Sequence, residues 1–338
     1  MAQSRRALQR FLRSLGYVAY LLFKSMNNTG IVLNSMLHLH VFKSRSTHFA
    51  MLSLIFGAVM ISFSGVWVKV AHVTPNVSAF YRVFFGGIIL LGAVLYHREL
   101  KWLGIRQLIL SLLCGFLFAL DLWFYHYCIE YVGPGLGTII PNFQVFILAG
   151  IGILFLREPM RWVFILSLPL AFVGLFMIVG INWALLDESY RVGIYFGLAA
   201  AVCYAGFLLT LRKLQADQIG VSFFYVLMMV SFTTVIFLGV EIYHTDSTFK
   251  IPNLQSLLAL AALALFSQSV GFILITNALP RIRASLSGLI LLLQPALAFV
   301  WDVLLFQRPT TPVNWLGVLL ALAAIYLGMA GQSASDTQ

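Results

Sequence analysis

An all-α membrane protein of ten transmembrane helices, arranged as two inverted-topology five-helix repeats, is the fold class this sequence predicts. Three observations carry that expectation. Only 9% of the 338 residues are charged while 61% are hydrophobic, whereas a soluble domain is about one-quarter charged. Ten apolar segments of bilayer length follow one another. The fourth segment also overlies the ninth when the chain is shifted by 150 positions.

The apolar surface implied by this composition has nowhere to hide in water, and a bilayer is the solvent that accepts it. The segments run about 50–71, 77–97, 107–128, 132–156, 160–181, 192–213, 219–241, 254–279, 283–306 and 312–331. Each is near the ~20 residues that cross hydrocarbon as a helix. Short connections make neighbours antiparallel. Residues 50–181 then form the first repeat, 192–331 the second, and 332–338 a short polar tail.

Cations set the orientation. With a cytoplasmic leader, one side holds Arg98, Lys101, Arg106, Arg157, Arg161, Arg212, Lys213, Arg281 and Arg283. The other side has Arg191, Lys250 and Arg308 against Asp187, Glu188, Glu241 and Asp246. Both termini are therefore expected in the cytoplasm, with the chain in a plasma membrane of the bacterial inner-membrane kind.

Repetition is visible residue by residue. The shift of 150 sets Leu136 on Leu286, Ile140 on Ile290, Gln144 on Gln294, Leu154 on Leu304 and Pro159 on Pro309, and also Phe116 on Phe266. Segments one and six align near a shift of 140, with Gly57 on Gly197. A five-helix unit has an odd number of crossings, so its second copy enters from the opposite side. Such inverted repeats recur in secondary transporters, with the site near the midplane.

Residues 1–49 differ from the rest. Residues 1–50 hold seven basic side chains (Arg5, Arg6, Arg10, Arg13, Lys24, Lys43, Arg45) and no acid, so most of the net charge of +10 sits there. Leu8, Phe11, Leu12, Leu15 and Val18 share a helical stripe opposite Arg6, Arg10 and Arg13. Three readings stay open: a helix lying on an anionic membrane surface, a targeting segment, or translation starting at Met51. A nucleic-acid role would need a basic face on a soluble domain, and none is present. Cys114, Cys128 and Cys203 lie within apolar stretches and read as small core residues.

An Asp, Lys or Arg at mid-helix in a membrane costs about 2.5–3.5 kcal/mol, so such residues face an interior or a wet path. Asp121 is the most informative, placed well inside the third segment with Tyr125 one helical turn on. It can bind a cationic solute or carry a proton; the plain alternative is an ion pair with Arg82 or Lys69. Arg82 can hold a carboxylate or snorkel outward. Lys69 and His126 read more simply as an edge cation and a satisfied interior histidine. Gln144 and Gln294, made equivalent by the repeat, can bond solute or join helices. Asn142, Gln268 and Asp302 complete the translocation candidates. Gly133-Pro134-Gly135 and Pro141 interrupt segment four and Pro295 segment nine. Paired breaks of this kind expose backbone where ligand binds.

These features resemble the EamA-like branch of the drug/metabolite transporter superfamily over about residues 50–331. The likeness is carried by Phe80-Tyr81-Arg82, by Glu158-Pro159 ending segment four, and by Gln294-Pro295 ahead of Arg308-Pro309. Family segments carry a mid-helix Pro followed about thirteen residues later by Gly-Glu. Here Val145 stands at the first Pro position, with Pro141 one turn earlier, and Arg308 replaces the second Glu. The resemblance implies alternating access around a central cavity. Its substrates span amino acids, amines, nucleobases, nucleotide sugars and drugs, and its members include proton-coupled carriers and facilitators.

The expected function is secondary transport of a small polar or amphipathic solute, with export as one direction, proton coupling or facilitation as the driving mode, and no cofactor or metal. A homodimer is one assembly left open. The competing classes are an intramembrane enzyme and a non-transporting scaffold or sensor. No metalloprotease or aspartyl-protease motif supports the first, and no phosphate-cradling Gly-x-x-x-x-Gly-Lys suggests an ATP-driven pump. A scaffold has no need of polar side chains at matching mid-helix positions.

Overall fold

The computed structural model describes residues 39–100, 102, 104–159, 161–179, 188–216, 222–245 and 248–333. Residues 1–48 and 49–338 form separate compact units. Of the first, residues 39–48 are described and are helical; the leader expectations for residues 1–38 lie outside the described residues.

Ten helices are long and apolar enough to cross a membrane. They are α1 (Thr47–Ala71), α2 (Pro75–Tyr96), α3 (Ile105–Val132), α4 (Gly137–Leu154), α5 (Trp162–Val179), α6 (Tyr190–Ala216), α7 (Phe223–His244), α8 (Leu254–Arg281), α9 (Ala284–Phe306) and α10 (Pro312–Ala330). Local chemistry sets several of the ends. Pro75 opens α2 after an extended Thr74, as suits a residue with no N–H to leave unpaired. Ser222 caps α7 by accepting from Phe224 N, and Asn253 caps α8 by accepting from Ser256 N.

Gly133-Pro134-Gly135 corrects one expectation. It lies between α3 and α4, not inside a crossing. Helical hydrogen bonding runs from Ile105 to Ile139, yet the chain doubles back there. A methyl group on Gly137 would stand 3.0 Å from Ile129 Cα, whereas eight residues of straight helix span about 12 Å.

The duplication is written into the backbone. Shifted by 150, Arg157 falls on Gln307, and both are left-handed, with φ of 51° and 53°, closing α4 and α9. The interior breaks match as well. A 3₁₀ segment Ile140–Phe143 divides α4, and Leu292 divides α9. The prolines occupy different registers, Pro141 and Pro295, but each removes an amide donor and leaves the helix broken at the same place. For Pro295 the break falls upstream, at Leu292, next to Leu291, whose carbonyl four residues before the ring loses its helical partner.

Each helix of the first repeat packs on one from the second: α1 on α8, α2 on α7, α3 on α6, α4 on α9, and α5 on α10. Exchanging every helix with its repeat mate returns the same set of pairs, as a two-fold relation between the repeats requires. Lipid gives no hydrophobic drive for such packing, so close fit and interhelical polar bonds supply it. Ser53 Oγ donates to the Leu274 carbonyl at 3.0 Å and Thr234 Oγ1 to the Gly115 carbonyl at 3.0 Å.

In the α5–α10 pair the two backbones meet directly. A methyl group on Gly174 would lie 2.6 Å from Ala321 N and 2.7 Å from Gly317 O. Those atoms are backbone and cannot swing aside. Gly174→Leu is therefore expected to separate α5 from α10, at a cost above the ~1–3 kcal/mol of ordinary overpacking. Size-exclusion profiles of the purified variant check this: aggregation or collapse of the folded peak is expected, and a wild-type profile would refute the tight contact.

Candidate functional site

The interior polar residues gather where α2, α3, α6, α7, α8 and α9 meet. Arg82 of α2 turns inward and not to the interface. Its Nε donates to Gln268 Oε1 at 3.1 Å, and Gln268 Nε2 donates on to Ser231 Oγ of α7 at 3.2 Å. The guanidinium also lies 5.7 Å from the ring centre of Phe272, a cation–π distance. Gln268 sits within a π-helical stretch, Leu263–Gly271. Widened turns of this type are common at functional sites because they re-aim a side chain and loosen the backbone ladder.

Asp121 and Tyr125 of α3 and Tyr204 of α6 all lie within electrostatic reach of Arg82. The Tyr204 hydroxyl is hydrogen-bonded to Gln294 of α9. Gln294 Nε2 is buried and has no other partner among the described residues. Asp121 is 8% exposed, and among the described residues its carboxylate accepts no hydrogen bond and makes no direct ion pair. Arg82 likewise uses only Nε, leaving its terminal nitrogens without a hydrogen-bond partner. A carboxylate and a guanidinium thus face the same interior space with bonding capacity unused. In low dielectric that arrangement is costly unless a solute, water or a proton completes it.

An aromatic floor underlies these groups. Phe118 stacks on Phe207 at 4.7 Å and meets Phe272 edge-on at 5.4 Å; Tyr204 lies against Phe207 at 5.9 Å. Phe118 is one turn before Asp121, Phe207 one turn after Tyr204 and Phe272 one turn after Gln268. The same three helices therefore supply both layers, and the rings keep water from the polar layer on that side.

Other expected residues lie elsewhere. Gln144 is fully buried, with neither amide atom partnered, so it is unsatisfied in the interior and not exposed to lipid. Asn142 Nδ2 donates to the Thr138 carbonyl at 2.7 Å, where it steadies the 3₁₀ break. Asp302 is not in the central group: it pairs with Lys69 of α1 and, at 3.5 Å, with Arg308. Lys69 is therefore bound to Asp302, which removes it as a partner of Asp121. The ring of His126 bonds backbone groups at Leu122 and Pro75.

Glu158, which carries part of the family likeness at the end of segment four, joins the repeats. Its carboxylate accepts from Ala284 N at 2.7 Å, Ser285 N at 3.2 Å and Ser285 Oγ at 2.7 Å, and pairs with Arg212 at 3.3 Å. It thus satisfies amides of the first turn of α9, where the helix dipole favours an anion, and neutralises the end of α6. Trp301 Nε1 donates to Ser62 Oγ at 2.8 Å in the same end-region of α9 that holds Asp302.

Tyr204, Ser231 and Phe272 were missed by sequence reasoning. Charge and amide content drew attention to other residues, and a tyrosine or serine in an apolar span is common. The usable signal was the spacing of Gln268 and Phe272, one turn apart on one face.

The EamA-like transporter family model matches residues 48–180 and again 191–329. No curated protein sequence matches the chain. A solved structure titled "Crystal structure of protein" is 14% identical, covers 83% of this chain and 98% of its own, and superposes with a TM-score of 0.70. At that identity the likeness speaks to the fold alone.

Proposed function

Because the chain belongs to the EamA-like transporter family, we propose that it is a secondary transporter working by alternating access on a small polar or amphipathic solute. The observation that carries this reading is the unpaired Asp121 carboxylate set beside Arg82 over the Phe118–Phe207–Phe272 floor. A solute with a cationic group for Asp121, an acceptor for the free guanidinium nitrogens and an apolar portion for the rings complements it. Family substrates of the amine and amino-acid kinds have that character. Tyr125, Tyr204, Gln268 and Gln294 orient such a solute.

Asp121 also supports proton coupling. An ionisable group inside a membrane bundle is a natural proton carrier, and proton and cationic solute would then compete for one group. The cation bias of the loops supports an orientation with the Arg157–Arg212–Arg281 end of the bundle in the cytoplasm.

Reconstituted liposomes test the reading. Amines and amino acids are offered with and without an imposed pH gradient. Saturable movement that the gradient accelerates is expected. Movement indifferent to the gradient removes proton coupling, and absence of saturable movement for every solute class tried overturns the transport reading.

A further inference from the structure

The ends of α6 and α8 enclose a pocket of ≈ 330 Å³ lined by Gln215, Ala216, Thr276, Asn277, Pro280 and Arg281. It lies at the end of the bundle bearing Glu158 and Arg212, apart from the central polar group.

Its chemistry is one-sided. Arg281 donates through one terminal nitrogen to both the carbonyl and the side-chain oxygen of Asn277, at 3.2 and 2.8 Å. That occupies the acceptors of Asn277 and leaves its amide nitrogen as the outward group. Arg281 is exposed, and among the described residues its remaining guanidinium nitrogens have no hydrogen-bond partner and no carboxylate pairs with it. Thr276 is fully buried and its hydroxyl is unpartnered, and Gln215 Nε2 is buried and unpartnered as well. Buried donors left without acceptors are uncommon and costly. Here the residues that carry them line one small cavity together with the guanidinium of Arg281.

We infer that this pocket is a binding site for an oxyanion of the phosphate type, held by Arg281, Asn277, Thr276 and Gln215. A small ligand rich in acceptor oxygens matches a lining of donor-bearing residues with one positive charge. Arginine, with its planar array of donors, is suited to that recognition. Two sources offer the same chemistry: a soluble phosphate, or the headgroup of an anionic lipid reaching the pocket from the neighbouring leaflet. The site does not depend on the transport reading, because it lies outside the central group.

Two arms distinguish the sources. Inorganic phosphate is titrated by calorimetry against the full-length protein in neutral detergent. In nanodiscs, native mass spectrometry counts phosphatidylglycerol retained over phosphatidylcholine. Saturable binding in either arm is expected, and the arm identifies the source. Arg281→Gln and the near-isosteric Thr276→Val are each expected to weaken it, Arg281→Gln by about 10-fold or more. Lys213→Gln, a charge change at the same end outside the pocket, is expected to leave it unaltered. No saturable binding in either arm overturns the site. So does full affinity in both pocket variants, or equal weakening by Lys213→Gln, which would reduce the effect to diffuse charge.

Discussion

Asp121→Asn is expected to reduce transport by roughly 10- to 100-fold while leaving folded yield intact. The two side chains are nearly the same size, and the native carboxylate holds no hydrogen bond whose loss would disturb packing. Arg82 keeps its bond to Gln268 in the variant, so the α2–α8 link survives. What disappears is the negative charge. For a cationic group that loses a charged partner in low dielectric, the expected penalty is of order 1.5–3 kcal/mol, which gives the quoted range. If Asp121 instead carries the proton, Asn cannot substitute at all, and acceleration by a pH gradient vanishes along with uptake. Initial rates in liposomes, normalised to reconstituted protein, provide the measurement. Asp121→Glu restores charge with altered reach and is expected to recover part of the rate. Wild-type uptake by the Asn variant would exclude Asp121 from the mechanism. Poor folding of that variant would instead make the residue structural.

The second large effect is expected at Glu158. Glu158→Ala removes an acceptor for two first-turn amides of α9 and one serine hydroxyl, and strands Arg212. The glutamate side chain is 7% exposed, so water does not readily replace it. Loss of a helix cap costs about 0.5–2 kcal/mol, and breaking a buried pair from one side about 3–5 kcal/mol. Arg212 is partly solvated, so a combined cost of roughly 2–4 kcal/mol is the reasonable expectation. The opposite end of the bundle offers the comparison. Asp302 there meets Lys69, whose side chain is 52% exposed, and such pairs contribute about 0–1 kcal/mol. Asp302→Asn should therefore lower the thermal midpoint in detergent far less than Glu158→Ala. Equal shifts would refute the unequal strength of the two ends. A double-mutant cycle of Glu158 and Arg212 separates the ion pair from the cap, since only the former is lost in Arg212→Ala.

This asymmetry bears on alternating access. Glu158 binds the end of α4, in the first repeat, to the ends of α6 and α9 in the second. An opening at that end between the repeats has to release these bonds or carry the three ends together. Substitution of Glu158 is accordingly expected to increase the reaction of cysteines placed near Thr276 with a membrane-impermeant reagent.

Much of this protein was legible in one dimension. Span number and placement were, because hydropathy is a property of consecutive residues and the bilayer accepts only long runs of it. Duplication was too, since Gln144 on Gln294 and Pro159 on Pro309 need only be compared along the chain. So was the strain of an interior charge at Asp121 and Arg82. Reversal of the chain at Gly133-Pro134-Gly135 was misplaced, because glycine and proline mark a bend in either a helix or a connection.

Only the tertiary structure decided which polar groups share a space. Lys69 and Asp121 sit at comparable depth in the sequence, yet helix rotation sends Lys69 to Asp302 and leaves Asp121 beside Arg82. Tyr204 and Ser231 entered the site because α6 and α7 pack on α3 and α2, a pairing with no local signature. Apolar side chains determine that a helix crosses the membrane. The azimuth at which it meets its neighbours is determined by close contacts among residues far apart in the chain, and the site is assembled by that azimuth.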